Sequence, residues 1–93
     1  MIVSFGSKET QMIWQGERVK KLPLEIQKIG RRKFRMLNNS QDLNDLKIPP
    51  SNKLEKLKGT LKEYYSIRIN TQWRIVFRWK QNNSHTVKII DYH

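Results

Sequence analysis

Apolar residues recur along this chain with two different periods, and the change from one to the other falls near Lys53. Before it, Ile2, Val3 and Phe5 read as a short opening strand that Gly6-Ser7 ends. Lys8–Trp14 follows as a short helix with Ser7 as N-cap and Met12, Ile13 and Trp14 as apolar weight, and Gly16 breaks it. Pro23 opens the clearest helix, which the spacing carries to about Leu37; proline suits a first turn because the N–H it lacks would be unpaired there. At about 100° per residue, Ile26, Ile29, Gly30, Phe34 and Leu37 share one face, with Lys28, Arg31, Arg32 and Arg35 opposite. Lys33 falls inside the apolar stripe, where its stem can lie along the helix while the ammonium reaches water. Gly30 costs roughly 1 kcal/mol relative to alanine and permits close packing of helix on sheet. Asn38-Asn39-Ser40 ends the helix, Asp42–Lys47 forms one turn with Leu43 and Leu46 inward, and Pro49-Pro50-Ser51 is a rigid loop.

From Lys53 onward the period is two. Leu54 and Leu57 belong to a strand or its flank, and Gly59 turns the chain. Tyr65, Ile67 and Ile69 point one way, and Tyr64, Ser66, Arg68 and Asn70 the other. Trp73, Ile75, Phe77 and Trp79 line one face, with Arg74, Val76 and Arg78 opposite. Joining the two apolar faces requires cross-strand partners whose numbers sum to an even value. A loop of Asn70-Thr71-Gln72 satisfies this, placing Ile69 against Trp73, Ile67 against Ile75 and Arg68 directly across from Arg74. Like charges facing each other destabilise a sheet. Their presence therefore points to a pocket for an anion, and removing Arg74 should leave the fold as stable or slightly more so. Asn82-Asn83 marks the next turn and His85–Tyr92 the final strand. The expected fold is α+β: an N-terminal strand and two helices packed on an antiparallel sheet of four to five strands, in one domain over residues 1–93.

Composition narrows the function. Nineteen Lys and Arg against eight acids give a net charge of +11, which implies an anionic partner. The charge is concentrated: residues 17–35 hold eight basic residues and two acids, and residues 53–80 repeat that balance. The absence of cysteine excludes a disulfide framework and thiolate metal sites, and two histidines with scattered carboxylates form no metal-ligand spacing. No cofactor is expected, and an enzyme built from these residues would work without a metal. No run is apolar and long enough to span a bilayer, and Met1-Ile2-Val3-Ser4 lacks the charged start of a signal peptide, so a cytoplasmic location without membrane contact is expected.

Cleaving RNA without a metal needs a base for the ribose 2′-OH, a cation at the phosphate and an acid for the departing 5′-oxygen. Arg74 is the best cation, being always charged and forked to match phosphate oxygens, with Arg68 and Lys58 next. Lys56, Arg78, Arg31 and Arg35 are further candidate phosphate contacts, although a charged outer face is also what any amphipathic helix shows. His93 can carry a proton near neutral pH. Tyr92 can stack on a base, exchange a proton or simply be buried, and Asp91 can orient His93 or an arginine. Trp73 and Trp79, on the apolar face, are core residues, and His85 is structural.

Several of these pieces also occur together in a known family. Pro49-Pro50, Asn52-Lys-Leu-Glu-Lys-Leu-Lys-Gly59, Ser66-Ile-Arg-Ile-Asn70, Gln72-Trp-Arg-Ile-Val-Phe77 and the closing Asp91-Tyr-His93 resemble the HigB (host inhibition of growth) branch of the RelE/ParE toxin superfamily. The match is close over residues 49–93 and by pattern before that. It implies a RelE-like fold and the toxin of a type II toxin–antitoxin system, a ribosome-dependent endoribonuclease that cuts mRNA in the A site. The terminal histidine, here His93, is used for cleavage in related toxins. The resemblance further implies a HigA-type helix-turn-helix antitoxin, with operator DNA reached only through that partner. Glu55 departs from the pattern, because some HigB toxins place a histidine there as a second proton carrier. Glu55 as base with His93 as acid, His93 as base with another acid, and a Glu55 that merely pairs with Lys53 or Lys58 all stay open. Two rivals come from other classes: a ParE-like, gyrase-directed toxin, against which the terminal histidine argues, and a non-catalytic RNA- or ribosome-binding domain, which leaves Asp91-Tyr92-His93 unexplained.

Overall fold

The change of period separates a helical layer from a sheet. In the computed structural model, which describes residues 1–92, α1 spans Lys8–Trp14 and α2 spans Leu24–Asn39. The sheet is four-stranded and antiparallel, in the order β1 (Glu55–Lys56), β2 (Tyr65–Arg68), β3 (Trp73–Lys80) and β4 (Asn83–Asp91). Both helices lie on one side of it. At Gly30 of α2 a β-carbon would stand 3.3 Å from Ile89 Cδ1 and 3.7 Å from Ile69 Cδ1, so glycine sets how closely this helix approaches the sheet.

Ser7 caps α1 as its position suggests, accepting the Thr10 N–H at 3.1 Å. Thr10 Oγ1 in turn accepts the Ile89 N–H of β4 at 3.1 Å, fastening the helix to the sheet edge. Pro23 stands just outside α2 as its N-cap. The helix runs two residues beyond Leu37, through Asn39, before Ser40 turns its hydroxyl onto Met36 O at 2.8 Å. Asn38 Oδ1 receives the Ile2 N–H at 2.9 Å, which makes those last residues useful to the fold.

The opening segment is not a continuous strand. Ile2 and Phe5 make two isolated parallel bridges to Ser84 and Val87 of β4, so the segment covers that edge without becoming a fifth strand. The reason lies in β4. The β3–β4 register shifts between Val76 and Arg78, and Thr86 takes a φ of 54°, so a bulge interrupts the edge that a fifth strand would need. The β3–β4 turn also sits one residue earlier than its asparagines suggest. Gln81 and Asn82 both have positive φ, 52° and 62°, forming the two-residue hairpin geometry whose twist matches the flanking strands.

The core between the layers is continuous. Ile13, Phe34, Leu37, Leu46, Ile67, Ile75, Phe77 and Val87 are fully buried, with Trp73 and Trp79 packed against them as the alternation implies. Each large apolar side chain taken from water contributes about 1.5–3 kcal/mol. Among the described residues, no helix is long and apolar enough to cross a membrane.

Lys33 departs from the expectation of a side chain reaching water. The residue is buried, and its ammonium donates to Asn52 Oδ1. Asn52, itself fully buried, donates from Nδ2 to Leu46 O at 3.0 Å and lies against Met36 Sδ at 3.1 Å. The pair therefore ties α2 to the Pro50–Asn52 turn that leads into β1. Burial lowers the Lys33 pKa below its ordinary 10.5, and repulsion from Arg32 adds to this.

Two outcomes follow for urea unfolding. Asn52→Ala should lose roughly 3 kcal/mol, because it leaves a buried ammonium without its acceptor. Because the folded pKa is depressed, the unfolded chain binds more protons at any pH between that pKa and 10.5. The stability of the wild type relative to Lys33→Met should therefore rise as pH increases through that window.

Candidate active site

Sheet parity places the candidate site on the face away from the helices. Ile67 pairs with Ile75 and Ile75 with Ile89, all beneath the helical layer. Their neighbours Glu55, Ser66, Arg68, Arg74, Lys88 and Ile90 consequently point to the other side. The expected opposition of Arg68 and Arg74 is present in the register. Each has a different environment.

Arg74 is 8% exposed. Its Nη1 donates to Ser66 Oγ at 2.5 Å and lies 3.9 Å from Glu55 Oε1. The guanidinium carbon sits 5.1 Å from the centre of the Tyr92 ring. Three strands thus converge on one cation: Glu55 from β1, Ser66 from β2 and Tyr92 just beyond β4. Arg68 is half-buried, and its Nε is enclosed without a hydrogen-bond acceptor among the described residues. One arginine is held in place; the other keeps an unused donor beside it.

Beside this cluster opens a cleft of about 330 Å³ lined by Glu55, Lys56, Leu57, Lys58 and Tyr92. Leu57 supplies its buried anchor, with its N–H on Tyr64 O at 2.9 Å, so the residues on either side of it project outward. Gly59 follows with a φ of 69°, the left-handed turn that sends the chain back toward β2. Glu55, Lys58, Arg68, Arg74 and Tyr92 therefore come together as a carboxylate, a phenol and three cations on one open face.

The remaining candidates lie elsewhere. Lys56 pairs with Tyr65, and its ammonium sits 4.6 Å from that ring's centre, at the rim of the cleft. Arg78 reaches Glu63 at 3.7 Å in a surface ion pair near the hairpin end. Asp91 is opposite Trp73, on the helix side by register, and accepts from Gln72 Nε2 at 3.1 Å. Arg31 and Arg35 are on α2, across the sheet from Arg74, and Arg31 donates from Nε to Ile13 O at 3.0 Å. His93 lies outside the described residues. The residue not singled out from sequence is Ser66. The signal was available, because the register makes it the diagonal cross-strand neighbour of Arg74 on the polar face.

The arrangement also corrects the expectation that Arg74 is dispensable for stability. Its removal would strip a fully buried Ser66 hydroxyl of its partner and leave Tyr92 without the cation beneath it.

Comparison with known proteins gives this geometry its setting. A solved structure of the YoeB–YefM complex from Staphylococcus aureus contains a chain of the same fold, with a TM-score of 0.62 over all of this chain and 98% of that one, at 22% identity. A second structure, of the heterotetrameric YoeB–YefM toxin–antitoxin complex from the same organism, matches equally well, with a TM-score of 0.62. Toxin HigB-1 from Vibrio cholerae serotype O1 is 36% identical over 80 residues, covering 85% of this chain and 84% of that protein. An uncharacterized protein from Haemophilus influenzae is 37% identical over 67 residues, 72% of this chain and 66% of its own length. The model of the HigB-like toxin family, described as the RelE-like toxin of type II toxin–antitoxin system HigB, matches residues 4–93. The solved structures share the fold, helices on one face of a four-stranded antiparallel sheet, and the match of a RelE-like toxin model to residues 4–93 puts the protein in the class of small RelE-like toxins. Within that class, the chain belongs to the HigB-like toxin family.

Ser66→Ala should cost about 1.5–3 kcal/mol, the range for a buried hydrogen bond to a charged group. Arg74→Ala should cost at least as much by the same urea titration. An Arg74→Ala protein as stable as wild type would show instead that repulsion from Arg68 dominates.

Proposed function

We propose that this toxin is a metal-independent endoribonuclease that inhibits translation by cutting mRNA in the ribosomal A site. The observation that carries the reading is Arg74, a buried guanidinium fixed by Ser66 and Glu55 and presented beside Tyr92 on a face no helix covers. A cation held this rigidly can stabilise charge on a phosphate without reorganising at the moment of reaction. Arg68, whose Nε has no acceptor among the described residues, and Lys58 add to the same field.

In this reading the ribose 2′-oxygen attacks the neighbouring phosphorus and the bond to the 5′-oxygen breaks. The products are a 2′,3′-cyclic phosphate and a 5′-hydroxyl. Glu55, its side chain 49% exposed, takes the 2′ proton, and His93 returns one to the leaving oxygen. Tyr92 stacks on a base drawn from the message, and Asp91 orients the chain end. The net charge of +11 supports docking among ribosomal RNA phosphates, an attraction that weakens steeply with salt. The partner is a HigA-type helix-turn-helix antitoxin, through which alone the toxin reaches operator DNA, and both act in the cytoplasm. Support for an antitoxin comes from the family's description and from the complexes in which the similar fold is found.

A cleavage assay on translating ribosomes tests the assignment. Arg74→Ala should lower single-turnover cleavage by roughly 10²–10³-fold, the scale of a lost transition-state donor. Glu55→Gln should lose about 10²–10⁴-fold at every pH if Glu55 is the base. Retention of more than about a third of the rate would make Glu55 an orienting partner of Arg74 only. Deleting His93 should leave a folded, ribosome-binding protein without cleavage, and near-normal cutting would remove it from the mechanism.

A further inference from the structure

The sheet ends unevenly at the end of β3 away from Arg74. β2 begins at Tyr65, which pairs with Phe77, while β3 runs on to Lys80. Arg78, Trp79 and Lys80 therefore extend past β2 and have β4 alone beside them in the sheet. Next to this step the chain returns from the Gly59–Leu61 turn through Glu63. The result is a cleft of about 220 Å³ lined by Lys56, Glu63, Tyr65, Arg78, Trp79 and Lys80. It is smaller than the roughly 300–1,000 Å³ of sites for drug-sized molecules, and so suits a single planar base. Lys56 also lines the candidate active cleft, so the two hollows share a wall at the β1 edge.

The core holds two half-buried aromatic side chains in this wall. Tyr65 stacks on the fully buried Phe77 with ring centres 6.2 Å apart, and Trp79 meets the same ring edge-on at 6.3 Å. Packing fixes both rings, and the parts left exposed are surface on which a base can lie. The polar groups are equally specific. Arg78 Nη2 lies 3.7 Å from Glu63 Oε2, too far for a hydrogen bond. Guanidinium and carboxylate thus stand side by side without spending their bonding capacity on each other. Glu63 is the one acid in a lining with three cations. A site for phosphate alone is weakened by that carboxylate; a ligand that offers N–H donors as well as acceptors uses it.

We infer that this cleft is a base-reading subsite that takes a guanine of the single-stranded message, flanking the scissile phosphate. The inference rests on the endoribonuclease reading and adds a specificity site to it. Guanine presents N1–H and the N2 amine side by side, which a carboxylate accepts together, and O6 with N7, which a guanidinium fork matches. Adenine lacks the ring N–H on that edge, and pyrimidines offer less surface to Tyr65 and Trp79. Unpaired RNA bases are recognised in this manner, splayed onto aromatic rings with their edges bonded. Lys56, between the two hollows, faces the phosphate that links them. An acidic protein segment, the other occupant such cations suit, would meet Glu63 as a like charge.

The probes are labelled single-stranded uridine pentamers whose central base is left as uracil or replaced by guanine, adenine or cytosine. Binding to the whole toxin is followed by fluorescence anisotropy. The wild type should bind the guanine pentamer tighter than the other three by about 5- to 150-fold, the discrimination of one bidentate base contact. Glu63→Gln, at an exposed position, should bring that ratio to within about twofold. The substitution removes a negative charge, so an electrostatic effect would tighten binding of every pentamer, opposite to a guanine-selective loss. Arg78→Lys keeps the charge and loses the fork, and should also shrink the ratio. Equal affinities for the four pentamers, or a guanine preference that survives Glu63→Gln, would overturn the inference. So would variants that bind the pentamers as the wild type does but no longer bind the antitoxin. A wild type that selects guanine yet cuts no message on translating ribosomes would sink the enzymatic reading and leave the subsite standing.

Discussion

The site depends on the pairing of Ile67 with Ile75 beneath α2. Both are fully buried, and a slip of one residue would turn each of them out to solvent. The pairing is therefore held by the whole hydrophobic core, and the same register forces Arg68 against Arg74 on the far side. Two like charges that would separate in a free hairpin are thus held together by packing elsewhere. The repulsion is offset locally by Ser66, Glu55 and Tyr92 around one of the pair.

The two arginines end in different states because, among the described residues, side-chain partners converge on only one of them. Arg74 sits where three strands can reach it, so its charge is compensated and its fork is fixed. Arg68 lacks an acceptor for an enclosed Nε among the described residues. A phosphate entering beside Lys58 would find one cation already oriented and another with a donor to spare. This division suits chemistry in which charge develops at phosphorus, since preorganised donors act without moving. On the opposite side, α2 supports the same sheet with its apolar face while exposing Lys28, Arg32 and Arg35 to solvent. One helix thereby couples the stability of the site to a second charged surface.

Lys33 and Asn52 show how far packing can override a surface expectation. A lysine in an apolar stripe ordinarily extends to water, and its stem is long enough to do so. Here the Pro50–Asn52 turn closes over it and offers a carbonyl oxygen that is itself anchored through the amide to Leu46 O. The cost of desolvating the ammonium appears in its lowered pKa. The result is a fixed turn immediately before β1, the strand that carries Glu55.

Much of this was legible in the chain itself. Alternation with period two, together with the need to join apolar faces, determined the β2–β3 register and hence the opposition of Arg68 and Arg74. Ser7, Pro23 and the periodicity of Ile26, Phe34 and Leu37 located both helices, because caps and faces are local properties. The family was legible in Gln72–Phe77 and the closing Asp91-Tyr92-His93. Tertiary structure decided the rest. Whether Ile2 to Phe5 would pair fully depended on a bulge at Thr86, some eighty residues away in sequence. Lys33 met Asn52, and Arg74 met Ser66, Glu55 and Tyr92, only once separate elements had packed. Periodicity records which face a residue occupies; it cannot record which distant side chain completes its hydrogen bonds, and here those distant partners decide which cation is fixed and which is free.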